Sequence, residues 1–337
     1  MFSCILGLCS CNKNHDADAT PQVNVYVAGW ESNGVHQVAK YWKNGVPVTL
    51  SDGSKDEGAV GIVVLGNDVY VAGTEYSGTA PYHASVKYWK NGTPVILSDG
   101  SMYTFATGVA VSGSDVYVAG SEVNGTNDVA KFWKNGTAVI LAPAQGFDFS
   151  HAGGMTVAEG NVYVAGESSD GNDRIAEYWK NGKPVILEDF ASAYSIAVSG
   201  NDIYVTGFVE NYSTITAVYW KNGTPVILTD GSKNAYASSI TVSGNDVFVA
   251  GSESTDNPSI GKSWAKYWKN GIPVNLSNGS TTATAYSIAV SGDDIYVAGE
   301  ESNATNYIAT YWKNGIPVFL SDGSKTASAS SILIVKE

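Results

Sequence analysis

A carboxylate recurs at seven points of this 337-residue chain, each just past a short apolar word ending in glycine: Glu31, Glu75, Glu122, Glu167, Glu210, Glu253 and Glu301. Glu167 and Glu210 are shifted by one position from the others. A second series, Asp52, Asp99, Asp189, Asp230 and Asp322, recurs further along the same spacing. Aromatics stand in the stretches between: Trp30, Tyr76, Tyr82, Tyr103, Phe105, Phe147, Phe149, Tyr194, Tyr212, Trp264 and Tyr307. Carboxylates beside exposed rings suit sugars, because rings stack on apolar sugar faces while carboxylates accept hydroxyl hydrogen bonds. The candidate ligand-binding set is therefore the seven glutamates with Trp30, Tyr82, Tyr103, Phe105 and Trp264. A plainer reading stands beside it. Asp-Gly is an ordinary turn, and Glu at a strand end can satisfy neighbouring backbone N–H groups.

Catalytic patterns are weaker. Glycoside hydrolysis needs two carboxylates about 5–10 Å apart at one unique place, whereas a seven-fold recurrence favours a repeated surface. The four histidines (His15, His36, His83, His151) share no repeat position, and no His-Glu-x-x-His or His/Cys metal spacing occurs. The single arginine, Arg174, excludes the three-arginine carboxylate clamp of sialidases. Asp170-Gly171-Asn172-Asp173 offers calcium ligands but lacks the remainder of an EF-hand loop. The sequence thus assigns no catalytic residue, no metal and no cofactor.

The elements that carry these residues follow from a longer repeat. An aromatic followed by Trp-Lys-Asn-Gly occurs seven times, with tryptophans at 42, 89, 133, 179, 220, 268 and 312, so 41 to 48 residues apart. That period, built from short β-type segments, marks a propeller array. Each copy holds four segments: a small apolar one (Ser195-Ile196-Ala197-Val198), Val-Tyr-Val-Ala-Gly, the aromatic pair, and Pro-Val-x-Leu. Asn-Gly joins the third to the fourth as a type I′ hairpin, and Gly-Asn-Asp or a variant joins the first to the second. Proline in the fourth segment (Pro47, Pro94, Pro184, Pro225, Pro273, Pro317) marks an outer edge. The fold class expected is all-β: a seven-bladed β-propeller of four-stranded antiparallel blades. The C-terminal strand near Ser331–Val335 would complete the N-terminal blade and close the ring. The tryptophans read as packing between blades, and the lysine after each as a solvated turn residue. Tight turns emerge at one end of such blades and variable connections at the other, which makes the variable end the candidate binding face.

The repeat Val-Tyr-Val-Ala-Gly…Tyr-Trp-Lys-Asn-Gly-x-Pro-Val-x-Leu-Ser-Asp-Gly resembles the amplified propeller repeats of uncharacterised bacterial surface lipoproteins over residues 23–337. Those proteins carry no assigned catalytic residues, so none transfer. The Gly-His…Trp-Asp signature of WD40 repeats and the Asp-box of sialidases are missing. All three cysteines, Cys4, Cys9 and Cys11, lie near the N-terminus, and residues 1–22 resemble the end of a lipoprotein signal with Cys11 as the lipidated residue, followed by a polar tether. No basic residue precedes the apolar part, which departs from that pattern. The resemblance implies a bacterial cell-envelope protein anchored by lipid at the outer membrane or cell surface, the alternative being secretion.

A net charge of −13 argues against a nucleic-acid partner, since phosphate neutralisation needs clustered Lys and Arg. No stretch of the repeat region approaches the roughly 18 apolar residues of a membrane span, so membrane contact is expected through the anchor alone. The chain reads as a monomer. Taken together the sequence favours a non-enzymatic binding module that recognises glycan or protein through the variable face. Two alternatives stay open: a glycan-active hydrolase or lyase with a carboxylate site at the channel mouth, and a purely structural repeat protein.

Overall fold

Every Asn-Gly of the repeat turns as its residue types demand. The seven asparagines have φ between 50° and 52°, and the glycines that follow lie between 80° and 86°. Each asparagine also binds backwards: the N–H of Val25 donates to Asn44 Oδ1 at 2.8 Å, that of Val116 to Asn135 at 2.9 Å and that of Ile295 to Asn314 at 2.8 Å. One side chain therefore shapes the hairpin and ties it to the strand before.

The computed structural model describes residues 23–77, 83–125, 127–211, 214–254 and 262–337. Cys11, the whole 1–22 segment and Tyr82 lie outside these. Every regular element among the described residues is a β-strand. The first sheet contains β1 (Val23–Ser32), β2 (Gln37–Lys43) and β3 (Val46–Thr49). Next come β4 (Asp56–Leu65), β5 (Asp68–Tyr76), β6 (Ala84–Lys90) and β7 (Thr93–Ile96), then β8 (Tyr103–Ser112), β9 (Asp115–Asn124), β10 (Asn127–Lys134) and β11 (Thr137–Ile140). These two meanders share one eight-stranded sheet through a single parallel bridge, Ala84 to Tyr103. Three four-stranded sheets follow. They are β12 (Phe149–Ala158), β13 (Asn161–Ser169), β14 (Arg174–Lys180) and β15 (Lys183–Asp189); β16 (Ala191–Ser199), β17 (Asp202–Asn211), β18 (Thr214–Lys221) and β19 (Thr224–Ile227); and β20 (Ala235–Ser243), β21 (Asp246–Ser254), β22 (Ser263–Lys269) and β23 (Ile272–Asn275). The last is β24 (Ala283–Ser291), β25 (Asp294–Ser302), β26 (Tyr307–Lys313) and β27 (Ile316–Phe319). β28 (Ala327–Lys336) leaves this sheet and pairs antiparallel with β1, giving the order β28-β1-β2-β3.

The repeat tryptophans pack between successive sheets, all seven at 3% exposure or less. Each lies in its own apolar cluster, as Trp89 does between the first sheet and β4–β6. Trp42 joins β25 and β26 to β1 and β28. The first strands β4, β8, β12, β16, β20, β24 and β28 all line one central cavity, while the proline-bearing fourth strands are largely exposed.

The lysine after each tryptophan is exposed, as expected of a turn residue, and in five repeats it is also paired. Lys90, Lys134, Lys221, Lys269 and Lys313 each reach the aspartate of the neighbouring turn at 2.8 Å (Asp68, Asp115, Asp202, Asp246, Asp294). They do so because the two tight turns of one meander stand side by side. Half exposed, such pairs contribute little stability.

Candidate functional site

A carbonyl pressed against a glycine creates the site's geometry. Opposite the Gly that ends each second strand, the first strand shifts register by a bulge, as between Ala285 and Ser287 in β24 and between Ala193 and Ser195 in β16. A Cβ on Gly299 would sit 1.9 Å from the Thr284 carbonyl oxygen, and one on Gly207 1.8 Å from that of Ser192. All seven glycines show this approach, at 1.8 to 2.3 Å. A bulge re-aims the side chain it carries. Tyr194 and Tyr286 are the extra residues of their strands, and both face the central cavity.

Register also decides what the recurring carboxylates do. The second residue past the glycine faces the third-strand residue paired with that glycine, and in four repeats these are Glu and Lys. Glu31 meets Lys40 at 2.5 Å, Glu122 meets Lys131 at 2.5 Å and Glu253 meets Lys266 at 2.7 Å. Glu75 binds Lys87 and, at 2.5 Å, Lys55, while Lys87 also meets Glu57 at 3.1 Å. Lys87 and Lys266 are buried. These four glutamates neutralise lysines held between sheets, where an unpaired charge would be costly.

The pair is lost in three repeats, where Glu177, Val218 and Thr310 replace the lysine. Glu167 and Glu210 lie on either side of Arg174, at 3.9 and 3.7 Å, too far for hydrogen bonds. Glu301 Oε1 receives only a long contact of 3.4 Å from Thr281. Its neighbour Glu300 occupies the most favourable setting. Its Oε1 accepts a hydrogen bond from the Tyr286 hydroxyl at 3.0 Å, and Ser328 donates to it as well. Among the described residues no cation pairs with Glu300. Burial accordingly raises its pKa above the usual carboxylate range, against the lowering effect of the two hydroxyls. Burial and the Glu300 charge raise that of Tyr286.

These groups wall a cavity of about 560 Å³ together with Trp30, Tyr307, Thr326 and Ser330, within the ~300–1,000 Å³ range of ligand clefts. It lies where β24 and β25 meet β28 and β1. A partly buried carboxyl with a raised pKa, set beside aromatic walls, can act as a general acid and base on a bound sugar.

The other candidates fall elsewhere. Tyr103 and Phe105 form a ladder with Tyr76 and His151, with centroid separations of 6.2, 5.8 and 5.1 Å. Trp264 lines a second cleft under the Lys233 ammonium, 4.6 Å from its ring. Asp170 Oδ1 accepts the N–H groups of Asn172 and Asp173 and closes a turn. Among the described residues no three His, Asp or Glu side chains form a metal-holding group. Sequence reasoning passed over Glu300, Tyr286 and Glu177. Each departs from its repeat neighbours: only Tyr194 shares the slot of Tyr286, and Glu300 and Glu301 are the one double carboxylate past a repeat glycine.

No protein-family model and no curated protein sequence matches the chain. Solved structures do. A puromycin-hydrolyzing peptidase of Mycobacterium tuberculosis aligns with TM-score 0.56 and 12% identity over 85% of this chain and 50% of its own. A Trypanosoma rangeli sialidase mutant with trans-sialidase activity aligns at 0.48 and 11%, over 82% and 53%. The β-propeller domain of the Trilobed protease from Pyrococcus furiosus aligns at 0.46 and 10%, over 79% and 85%. The chain thus spans about half the length of the peptidase and sialidase chains. At such identities the likeness extends to the fold, an all-β propeller-like arrangement of four-stranded sheets. The sequence favours a non-enzymatic binding module, whereas the neighbour that aligns at TM-score 0.56 is a hydrolytic enzyme; at 12% identity this likeness carries the fold and assigns no activity.

Proposed function

We propose that this chain is a glycan-active hydrolase, with Glu300 at the channel mouth as its acid–base residue. The scaffold in this reading is a seven-bladed β-propeller, with β28 completing the N-terminal blade. The pairing of β28 with β1 and the one cavity lined by all seven first strands support it. The observation that carries the function is Glu300 itself: partly buried, hydrogen-bonded to Tyr286, uncompensated by a cation among the described residues, and open to a 560 Å³ aromatic-walled cavity.

Trp30 and Tyr307 hold the sugar by its apolar faces. Protonated Glu300 gives its proton to the departing glycosidic oxygen as the C–O bond breaks. Glu300 is the one carboxylate in the described lining, so in place of a second carboxylate water adds directly at the oxocarbenium carbon while ionised Glu300 takes its proton and returns to its starting form. The Tyr286 hydroxyl keeps the carboxyl in place through both transfers. The net charge of −13 repels polyanions and favours neutral glycans as substrates.

The test is reducing-sugar release by the full chain from a panel of neutral oligo- and polysaccharides. Glu300→Gln lowers the rate by about 10²–10⁴-fold. No release by the unaltered protein, or an unchanged rate in the variant, overturns the reading.

A further inference from the structure

The cleft that holds Trp264 belongs to none of this chemistry, yet it is built for an acceptor. The repeat tryptophans show why. Trp179 Nε1 donates to the Ala142 carbonyl at 2.7 Å, and Trp220 Nε1 donates to Glu188 Oε2 at 2.8 Å. Both acceptors directly follow a leucine near the end of the preceding four-stranded meander (Leu141, Leu187). At the next junction the residue after Leu228 is Thr229, whose hydroxyl accepts the Ala217 N–H instead. Trp268, 1% exposed, therefore keeps a buried Nε1–H with no acceptor among the described residues.

Trp268 lines a cleft of about 470 Å³ with Trp264, Thr229, Lys233, Lys266 and Glu253. The lysines lie over the indole rings, Lys266 5.8 Å from both and Lys233 4.6 Å from Trp264. Among the described lining residues Glu253 pairs with Lys266 and the charge of Asp230 offsets that of Lys233, so the charges cancel. Trp264 Nε1, in the same cleft, also lacks an acceptor among the described residues, whereas Trp42 and Trp312 share the unsatisfied N–H but line neither this cleft nor the Glu300 cavity.

We infer that this cleft is an ancillary subsite for a neutral amino sugar, whose acetamido carbonyl accepts the Trp268 indole proton. An amide carbonyl is the group that Ala142 supplies to Trp179 within the chain, and an uncharged ligand suits a cleft without net charge. The subsite holds glycan at a different sheet junction from the Glu300 cavity, so its purpose rests on the hydrolase reading while its binding does not.

The experiment follows indole N–H resonances of the full chain carrying Glu300→Gln, so turnover plays no part and failure of the hydrolase reading leaves the result intact. Titration with N-acetylglucosamine shifts the Trp268 Nε1–H signal, assigned by its loss in Trp268→Phe, and glucose does not shift it. Trp268→Phe binds about 3- to 10-fold more weakly, the worth of one neutral hydrogen bond. Should Trp268→Phe fold poorly, Thr229→Glu supplies a carboxylate in the place of Glu188 and abolishes the sugar-induced shift. No shift with any sugar means the proton is held by water and overturns the inference. Equal shifts with glucose, or with N-acetylglycinamide, overturn the assignment to amino sugars.

Discussion

Glu177 is a buried carboxyl whose charge costs the fold stability as pH rises. It stands where four other repeats carry lysine, and Ser168 stands where they carry glutamate. The carboxyl is fully buried; Ser168 donates to one oxygen and the other has no partner among the described residues. Burial pushes its pKa from 4.5 up to about 7. That rise corresponds to about 3 kcal/mol. The folded state holds the proton more tightly than the unfolded chain. Stability from this group is therefore complete below pH 4.5, falls as pH rises, and is lost above about pH 7. Glu177→Gln keeps the shape and the acceptor for Ser168 but carries no charge. Urea denaturation at intervals from pH 4 to 8.5 should show variant and parent equal near pH 4, with the variant ahead by up to about 3 kcal/mol near pH 8. The double change Glu177→Lys with Ser168→Glu, which rebuilds the pair of the other repeats, should flatten the profile likewise. Parallel pH profiles for parent and Glu177→Gln would show that the buried carboxyl is stabilised by something absent from this account.

The remaining predictions test the scaffold and the site. Gly299→Ala forces a Cβ to within 1.9 Å of the Thr284 carbonyl, and should cost about 1–3 kcal/mol in denaturation while displacing Tyr286 and lowering hydrolysis. Removing Ser331–Glu337 strips most of the partner of β1; it should cost several kcal/mol and promote aggregation on heating, and unchanged melting would refute the closure of the ring. Tyr286→Phe removes a hydrogen bond that holds the Glu300 pKa down, so the descending alkaline limb of activity should move to higher pH; a limb moving to lower pH would contradict Glu300 as the proton donor.

What could be read in the residues was local. Asn44-Gly45 and its six counterparts turn as type I′ hairpins because only Asn and Gly take positive φ at little cost, and Pro94 and its counterparts lie on exposed outer strands. The buried tryptophans were legible for the same reason, as large apolar groups at fixed spacing. The candidate site was legible only in part: Trp30 lines the Glu300 cavity and Trp264 the second cleft, whereas Glu31, Glu75, Glu122 and Glu253 turned out to be lysine partners. Nothing within a repeat says which lysine faces which carboxylate, since the partners meet across strands through register.

The chain alone therefore determined its turns, its strand edges and the period of its array, all of which depend on a few neighbouring residues. Only the packed sheets decided that Gly299 lets a carbonyl in and turns Tyr286 toward the channel, and that β28 brings Ser328 to Glu300. The repeats are near-copies in sequence, so chemistry arises where unlike copies touch. Burial at such a contact sets which carboxyl keeps its proton, and burial belongs to the assembled sheets rather than to any one of them.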